Sequence, residues 1–212
     1  MNIVLIGASG FIGSALRKEA LARGHQVTAL VSNPAKLEPA SSLTVQRVDA
    51  LDPAALAEHL SGRDAVISAF SGHAQQDVRG YYLQGIRSIV AATKRFPTLR
   101  LLLVGGAGSL QTAPGKQLVD DPAFPAAWKA SAEGARDALS LLRAEPELDW
   151  TMLSPSALVA PGRRTGKFRL GGDQLLVGAN GKSEISVDDY AVAMIDELER
   201  PQHRRQRFTV GY

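Results

Sequence analysis

The sequence predicts an α/β fold in which helices cover both faces of one doubly wound, mostly parallel sheet. Short apolar runs, typical of strands buried on both faces, alternate along the chain with segments whose apolar residues recur every three to four positions, as in helices. The 212 residues suffice for one complete core, and no repeat or linker divides them. We therefore expect a single domain over residues 1–212.

The first strand and the first helix flank three glycines. The apolar run from Ile3 to Ile6 predicts a buried strand, and apolar residues at i, i+4 and i+8 from Ile12 predict a helix. Gly7, Gly10 and Gly13 lie between them with the spacing G-x-x-G-x-x-G. This spacing differs by one residue from the commoner dinucleotide fingerprint G-x-G-x-x-G.

Each of these glycines has a physical reason if a dinucleotide binds here. Gly7 lets the chain turn off the strand, Gly10 lets a pyrophosphate approach the backbone, and Gly13 lets the helix pack closely on the strand. The N–H groups and the dipole of the first helical turn attract phosphate, and Ser9 could add a hydroxyl donor. A purely structural turn is the alternative, but the order strand, glycines, helix favours a dinucleotide site.

The residues after the second predicted strand, Gln26–Val31, indicate which nicotinamide dinucleotide fits. An NAD-specific site usually carries Asp or Glu here, which accepts from the ribose hydroxyls. Ser32, Asn33 and Lys36 are instead neutral or positive, which suits a 2′-phosphate. We therefore favour NADP over NAD, although Lys36 can equally be a solvated surface residue. His25, at the turn before this strand, is expected to be solvated.

The middle of the chain continues the alternation. Asp52 followed by Pro53 predicts the start of the helix after the third strand, and Asp49 at that strand's end suits either an adenine amino group or a simple turn. Further strands are predicted at Leu43–Val48, Asp64–Phe70 and Arg100–Val104, and a long helix at Val78–Arg95.

The last third of the chain contains two long loops, residues 111–123 and 161–169, of a length that is usually functional. A helix is predicted from Phe124 to Arg143 and another after a cap at Asp188. Strands are predicted at Leu148–Leu153, Leu175–Val177, around Ile185 and at Phe208–Val210.

Composition narrows the setting. The chain has no cysteine, which excludes disulfides, thiolate nucleophiles and cysteine metal sites and favours a reducing, cytoplasmic location. We expect no signal peptide, no membrane span of ~20 apolar residues and no metal site. A net charge of +3 is too weak to argue for nucleic acid. The basic residues at 203–207 are typical of a solvated segment that guards a sheet edge.

Several sequence blocks beyond the glycine turn are specific to one family. They are Gly7–Gly13, Arg23–His25, Asp64–Ser68, Val104–Ser109, Phe124–Pro125, Trp150–Thr151, Ser154–Pro155, Arg164–Lys167, Ile185–Ala191 and Arg207–Tyr212. Through these blocks the whole chain resembles the atypical short-chain dehydrogenase/reductases of the epimerase/dehydratase superfamily. It most closely resembles the bacterial NAD(P)H-binding, NADH-flavin-reductase-like proteins.

The resemblance implies a Rossmann core that binds NAD(P)H, with residues 155–212 completing the substrate side. It places the diphosphate, the adenosine ribose, adenine, the second ribose and the nicotinamide, in that order, at five groups of residues. These are Gly7, Ser9, Gly10, Phe11 and Ile12; then Ser32 and Asn33; Asp49 and Ala50; Ala69, Phe70 and Ser71; and Gly105, Gly106, Pro155 and Ser156.

Two features depart from this resemblance. Relatives often carry Arg where Ser32 stands, which weakens the NADP prediction. Dehydrogenases of the wider superfamily use a Tyr-x-x-x-Lys pair, in which the lysine lowers the tyrosine pKa for proton exchange. None of the four tyrosines is followed by Lys four residues later, so sugar epimerisation and alcohol oxidation by the usual route are disfavoured.

The sequence leaves two classes of function. One is an NAD(P)H-dependent reductase that passes hydride directly to a flavin such as FMN or to a similar planar small molecule, which needs orientation more than a dedicated acid. The other is a non-catalytic NAD(P)-binding redox sensor of the NmrA-like type. The sequence allows either a monomer or a homodimer as the oligomeric state.

Candidate chemical groups on the substrate side are few. Ser109, Lys129 and His73 are weak candidates for a proton donor, and Trp128 is expected to be a core residue rather than a platform for stacking a ring. The loop residues Arg163, Arg164, Lys167 and Arg169 either clamp an anionic acceptor or form a solvated basic loop.

Overall fold

The computed structural model describes all residues, 1–212, as twelve strands and five α-helices. The strands are β1 Asn2–Ile6, β2 Gln26–Val31, β3 Leu43–Arg47, β4 Ala65–Ser68, β5 Arg100–Val104, β6 Gln111–Ala113, β7 Lys116–Gln117, β8 Trp150–Ser154, β9 Leu158–Ala160, β10 Arg169–Gly171, β11 Glu184–Ser186 and β12 Gln206–Gly211. The helices are α1 Phe11–Ala22, α2 Pro53–Ala57, α3 Val78–Lys94, α4 Ala126–Arg143 and α5 Val187–Glu199.

Eight strands form the central sheet in the order β3-β2-β1-β4-β5-β8-β12-β10. The neighbours from β3 to β12 are all parallel, and only the edge strand β10 runs antiparallel to β12. The strand order reverses between β1 and β4, and ligands of open α/β sheets bind at the carboxyl ends of the strands at such a point. The predicted mostly parallel sheet is confirmed.

Helices cover both faces of this sheet, as the alternation of elements predicted. On one face α1 and α5 bury Leu16 and Tyr190 against the strands. On the other face α2, α3 and α4 bury Leu56, Ile86 and Leu139. Two cores separated by one sheet make a doubly wound α/β domain. None of the helices has the length and apolar character needed to cross a membrane.

One predicted strand is wrong. Residues 175–177 form no strand, and the edge of the sheet is β10 instead. The Leu176 side chain packs where a Cβ on Gly171 or Gly211 would lie, at 3.1 and 3.2 Å. The segment therefore covers the end of the edge strands with a side chain rather than with backbone hydrogen bonds.

The start of α5 also differs from the prediction. The cap is Ser186, whose hydroxyl accepts from the Asp189 N–H at 3.0 Å, and the helix begins at Val187. Asp188 lies inside the first turn, where a carboxylate also interacts favourably with the helix dipole. By contrast Asp52 caps α2 as predicted, accepting from Ala54 and Ala55.

His25 is buried, with 5% of its surface exposed, so the prediction of a solvated turn residue is wrong. Its Nδ1 lies 3.2 Å from the terminal amine of Met1, and its Nε2 lies 2.9 Å from a Glu199 carboxylate oxygen. The end of α5, which is distant in sequence, packs over this turn and excludes water from it.

Candidate cofactor-binding site

Only glycine fits at the first position of the turn after β1. Gly7 has φ +79°, and a Cβ there would lie 2.6 Å from the Ala69 carbonyl oxygen. Both facts exclude a side chain, because the left-handed region disfavours L residues and the end of β4 passes directly beside the turn. The predicted reason for Gly7 is confirmed, and the neighbour is the carboxyl end of the adjacent strand.

Gly13 and Gly10 have different reasons for being glycine. A Cβ on Gly13 would lie 2.1 Å from the Gly7 carbonyl oxygen, so this glycine lets α1 pack on the turn. A Cβ on Gly10 would meet only the Gly7 oxygen, at an ordinary 3.5 Å. Packing does not require glycine at position 10, and the space above it is open to the approach of a ligand.

The first turn of α1 offers an anion unpaired donors. Gly10 is the N-cap and provides no side-chain hydrogen bond, and the turn contains no acidic residue. The N–H groups of Phe11, Ile12 and Gly13 donate to no protein acceptor. The Ser9 hydroxyl has no hydrogen-bond partner either and lies beside them in the chain. Free amides at the positive end of a helix dipole form a phosphate-binding arrangement.

At the carboxyl end of β2 the side chains are exposed and carry no acid. Asn33 Oδ1 accepts from the Ala35 N–H at 3.1 Å and caps a short 3-10 helix, Pro34–Lys36. Ser32 and Lys36 are exposed, and Lys36 has no ion-pair or hydrogen-bond partner. A free ammonium group and a free hydroxyl are therefore available beside the position where a dinucleotide's adenosine ribose would lie.

At the end of β3, Asp49 forms a turn, which was one of the two roles predicted for it. Its Oδ1 accepts from the Leu51 N–H at 2.9 Å. The residue is exposed and its Oδ2 has no partner, so an adenine amino group remains compatible with it. Ala50, which follows, is half-buried.

The end of β4 contributes backbone rather than an aromatic ring. The Phe70 ring turns into α3, where it occupies the space that a Cβ on Gly85 would need, and it stacks on Tyr82 with 6.3 Å between centroids. The backbone at Ala69 and Phe70 stays beside Gly7, and Ser71 is exposed. We therefore expect a ribose here to meet main chain and the Ser71 hydroxyl.

The glycines after β5 serve the packing of α4. A Cβ on Gly106 would lie 2.8 Å from Ala135 Cβ, and one on Gly108 would lie 2.7 Å from Ala132 Cβ. Gly105 is restricted in the same way by the Met152 side chain at 2.7 Å. This turn therefore presents backbone without side chains at the carboxyl end of β5, and it is held between β8 and α4.

Residues at the ends of β5 and β8 that were candidates for contact with ligand make internal bonds. The Ser156 hydroxyl donates to the Val210 carbonyl oxygen at 2.9 Å, and Pro155 is buried. The Ser109 hydroxyl is buried and accepts from Arg207 Nη1 at 3.3 Å. These contacts favour structural roles for both serines.

Arg207 itself contradicts the prediction of a solvated basic segment. Its side chain is buried, reaches Ser154 and pairs with Asp173. Burial lowers the pKa of the Arg207 guanidinium, and the Asp173 carboxylate opposes that shift. Because β10 covers β12, this strand is not the sheet edge that the sequence suggested.

Two of its basic neighbours are paired as well. His203 bonds Glu197 at 2.7 Å and stacks on Phe208, and Arg204 pairs with Asp149 at 2.6 Å. These two side chains thus bind the chain's own carboxylates.

The basic loop between β9 and β10 is anchored from α5. Asp189 is fully buried, and its carboxylate accepts from the N–H groups of Thr165 and Gly166, both at 2.8 Å, and from the Tyr212 hydroxyl at 2.7 Å. Burial disfavours ionisation of Asp189, but these hydrogen bonds outweigh it and hold its pKa below the usual value. The sequence carried no signal for this anchor.

Two of the four basic loop residues bond other residues of the protein. Arg164 makes a two-point contact with Glu19, both bonds at 2.8 Å. Glu19 is nine residues beyond the helix cap, a distance of about 13 Å along α1. Arg169 donates to the carbonyl oxygens of Val177 and Tyr212. These contacts give Arg164 and Arg169 a structural role that neither alternative predicted, whereas Arg163 and Lys167 are exposed and unpaired.

Trp128 is exposed over 59% of its surface, so the prediction of a core residue is wrong. It lies in the first turn of α4, beyond the part of the helix that packs against the β5 turn. The His73 ring makes a T-shaped contact with it, with 5.9 Å between centroids. Lys129 is exposed and unpaired beside it. Two of the three weak proton-donor candidates therefore lie at one aromatic pair.

The sheet, its switch point and the free amides of the first helical turn define a Rossmann-type dinucleotide-binding protein. No group of three or more His, Asp or Glu side chains is placed to share a metal ion. The chain belongs to the NAD(P)H-binding family, whose sequence model matches residues 7–201.

Relatives resemble it over nearly their whole length. The uncharacterized protein YwnB of Bacillus subtilis (strain 168) is 39% identical and covers 99% of this chain and 98% of its own. A solved structure from Bacteroides thetaiotaomicron, proposed to be an epimerase, is 44% identical with a TM-score of 0.93, over 100% and 96% of the two chains. One from Streptococcus pneumoniae, proposed to be an NADH-flavin reductase, is 33% identical with a TM-score of 0.86, over 100% and 99%.

Proposed function

We propose that this chain is an NAD(P)H-dependent reductase that transfers hydride directly to a flavin such as FMN or to a similar planar acceptor. The observation that carries the proposal is the uncapped first turn of α1, whose free amides and unrestricted Gly10 suit a dinucleotide pyrophosphate. When bound, the nicotinamide would supply the hydride. Gly7, Gly10 and the amides after them would hold its diphosphate.

A flavin-like acceptor agrees with the internal hydrogen bonds that occupy the hydroxyl groups near the expected nicotinamide. The Ser109 hydroxyl bonds Arg207. The Tyr190 hydroxyl donates to the Leu153 carbonyl oxygen, and the Tyr212 hydroxyl donates to the Asp189 carboxylate. Flavin reduction takes one hydride from NAD(P)H and one proton, and the ring nitrogens can accept that proton from water. The protein then needs mainly to align the two rings and exclude water between them.

We favour NADP(H) over NAD(H) as the nucleotide. The support is local charge at the end of β2, where Lys36 is unpaired and neither Ser32 nor Asn33 carries a negative charge. A 2′-phosphate gains from a nearby cation, and a ribose diol gains from an acid that this chain does not place there.

The test is oxidation of NADPH and of NADH, followed by absorbance, with FMN, riboflavin and a quinone as acceptors and a no-enzyme control. Saturable turnover with a planar acceptor, at a lower KM for NADPH, is the expected result. Tight nucleotide binding without turnover for any acceptor would overturn the reductase proposal. It would favour a redox sensor, which the absence of a Tyr-x-x-x-Lys pair also allows. A sensor should bind oxidised and reduced nucleotide with different affinity.

A further inference from the structure

We infer that Trp128, with His73 and Lys129, is the surface on which the acceptor ring stacks, and that the acceptor is a planar aromatic molecule with an anionic group. This inference rests on the proposed reductase function and names the residues that select its second substrate. We call these three residues the aromatic platform.

The platform's position follows from the face of α4 on which Trp128 lies. Trp128, Ala132 and Ala135 are spaced i, i+4 and i+7 and share one side of the helix. Ala132 and Ala135 face the glycine turn after β5 at Gly108 and Gly106. The indole is one helical turn further out on the same side, so it extends beyond the end of β5.

His73 reaches the same place from the next strand. It lies in the loop that follows β4, and its ring meets the Trp128 ring edge to face at 5.9 Å between centroids. β4 borders the switch point, where open α/β sheets bind their ligands, and β5 is the next strand beyond β4. One aromatic side chain from the loop after β4 and one from the first turn of α4 therefore meet beside the expected nicotinamide position.

The indole has an open face. A T-shaped contact covers at most one face of the Trp128 ring, and more than half of the residue is exposed. Because the residue belongs to an 18-residue helix, its backbone is fixed before any ligand arrives. A fixed aromatic face loses little entropy when it stacks on a second ring, which suits a flat conjugated acceptor.

The charge beside the indole indicates that the acceptor carries an anionic group. Lys129 is exposed, has no ion-pair partner, and no acidic residue occurs in the first turn of α4. A free ammonium group next to an aromatic face favours a ring that carries a phosphate or carboxylate. FMN has both features, whereas riboflavin has the ring without the phosphate, so the pair separates the two contributions.

Protein fluorescence tests the inference directly, since the chain has two tryptophans and Trp150 is buried in β8 with 3% exposure. FMN should quench the emission of the exposed Trp128, and the W128F variant should lose that response. W128A should raise the FMN dissociation constant and KM by roughly tenfold, as loss of a stacking partner does, and leave NADPH affinity unchanged. W128F should fall between W128A and the parent chain.

Lys129 has a matched control in Lys182, which is also exposed and unpaired. K129Q should remove the preference for FMN over riboflavin, and K182Q should preserve it. Unchanged FMN binding in both W128A and K129Q, while the parent chain turns over FMN, would overturn the inference and leave the reductase proposal intact.

Two further outcomes are informative. Quenching and its loss in W128A, without turnover by the parent chain, would support the platform and contradict the reductase proposal. A W128A variant that changes only the sedimentation coefficient would overturn the inference, because it would identify the indole as a contact between copies of the chain.

Discussion

The Gly13 backbone lies so close to Gly7 that a Cβ on Gly13 would be 2.1 Å from the Gly7 carbonyl oxygen. Gly7 is in turn pressed against the Ala69 carbonyl at the end of β4. The start of α1, the turn and the neighbouring strand therefore form one close-packed unit. This unit fixes the direction of the free amides that would face a pyrophosphate.

This contact predicts that two glycines of one motif respond differently to the same substitution. Gly13→Ala forces a carbonyl group to move and should lower the free energy of unfolding by about 1–3 kcal/mol, as overpacking does. Gly10→Ala meets nothing closer than 3.5 Å and should cost about 1 kcal/mol or less through its cap position. Urea unfolding, followed by tryptophan emission, measures both.

Gly10→Ala should nevertheless weaken NADPH binding by roughly tenfold or more, because its methyl group enters the space left for the phosphates. Fluorescence titration with NADPH gives the dissociation constant. Wild-type affinity in a folded Gly10→Ala protein would contradict a phosphate site at this turn.

What the sequence could predict was local. The spacing from Gly7 to Gly13 and the Asp52–Pro53 helix start depend on neighbours within a few residues, and the structure confirms both. His25 and Trp128 were mispredicted, since their environments depend on segments far away in the chain. Glu199, which bonds His25, is 174 residues distant, and no periodicity indicates such a contact.

Lys36 should contribute to nucleotide choice. Lys36→Glu places a negative charge beside the expected 2′-phosphate, so KM for NADPH should rise by roughly tenfold while KM for NADH changes little. Steady-state kinetics with both nucleotides measures the ratio. Lys18→Glu, at another exposed lysine, is the control, and an equal change in both variants would show only a long-range charge effect.

Asp189 should hold the basic loop in place. Asp189→Asn replaces a buried acceptor of two backbone N–H groups and should cost about 2–4 kcal/mol. The loop carries tryptic sites at Arg163, Arg164 and Lys167, so limited trypsin digestion of the native protein should cut it faster. Asp188→Asn, one residue earlier and without a side-chain partner, should digest like the parent chain. Equal digestion of both variants would show that the loop does not depend on this anchor.

Glu19 should make stability depend on acid pH. Its hydrogen bond from Arg164, together with Arg23 and against the effect of burial, holds its pKa below the usual value. A carboxylate with a lowered folded-state pKa contributes fully above its unfolded pKa of about 4.3, and this contribution is lost as pH falls through the folded value. Urea midpoints measured from about pH 6 downward should therefore fall less in Glu19→Gln. Glu38→Gln, at an exposed and unpaired residue, should keep the parent slope.

Ser109 should matter for stability more than for turnover. Its buried hydroxyl accepts from Arg207 at 3.3 Å, so Ser109→Ala should leave a guanidinium donor less satisfied and cost about 1–2 kcal/mol. The kcat for FMN reduction should change by less than about twofold, because a bound flavin can take its proton from water. Activity measured well below the melting temperature separates the two effects. A large fall in kcat, with a solvent isotope effect on the remaining rate, would instead identify Ser109 as the proton donor and show that its contact with Arg207 breaks when substrate binds.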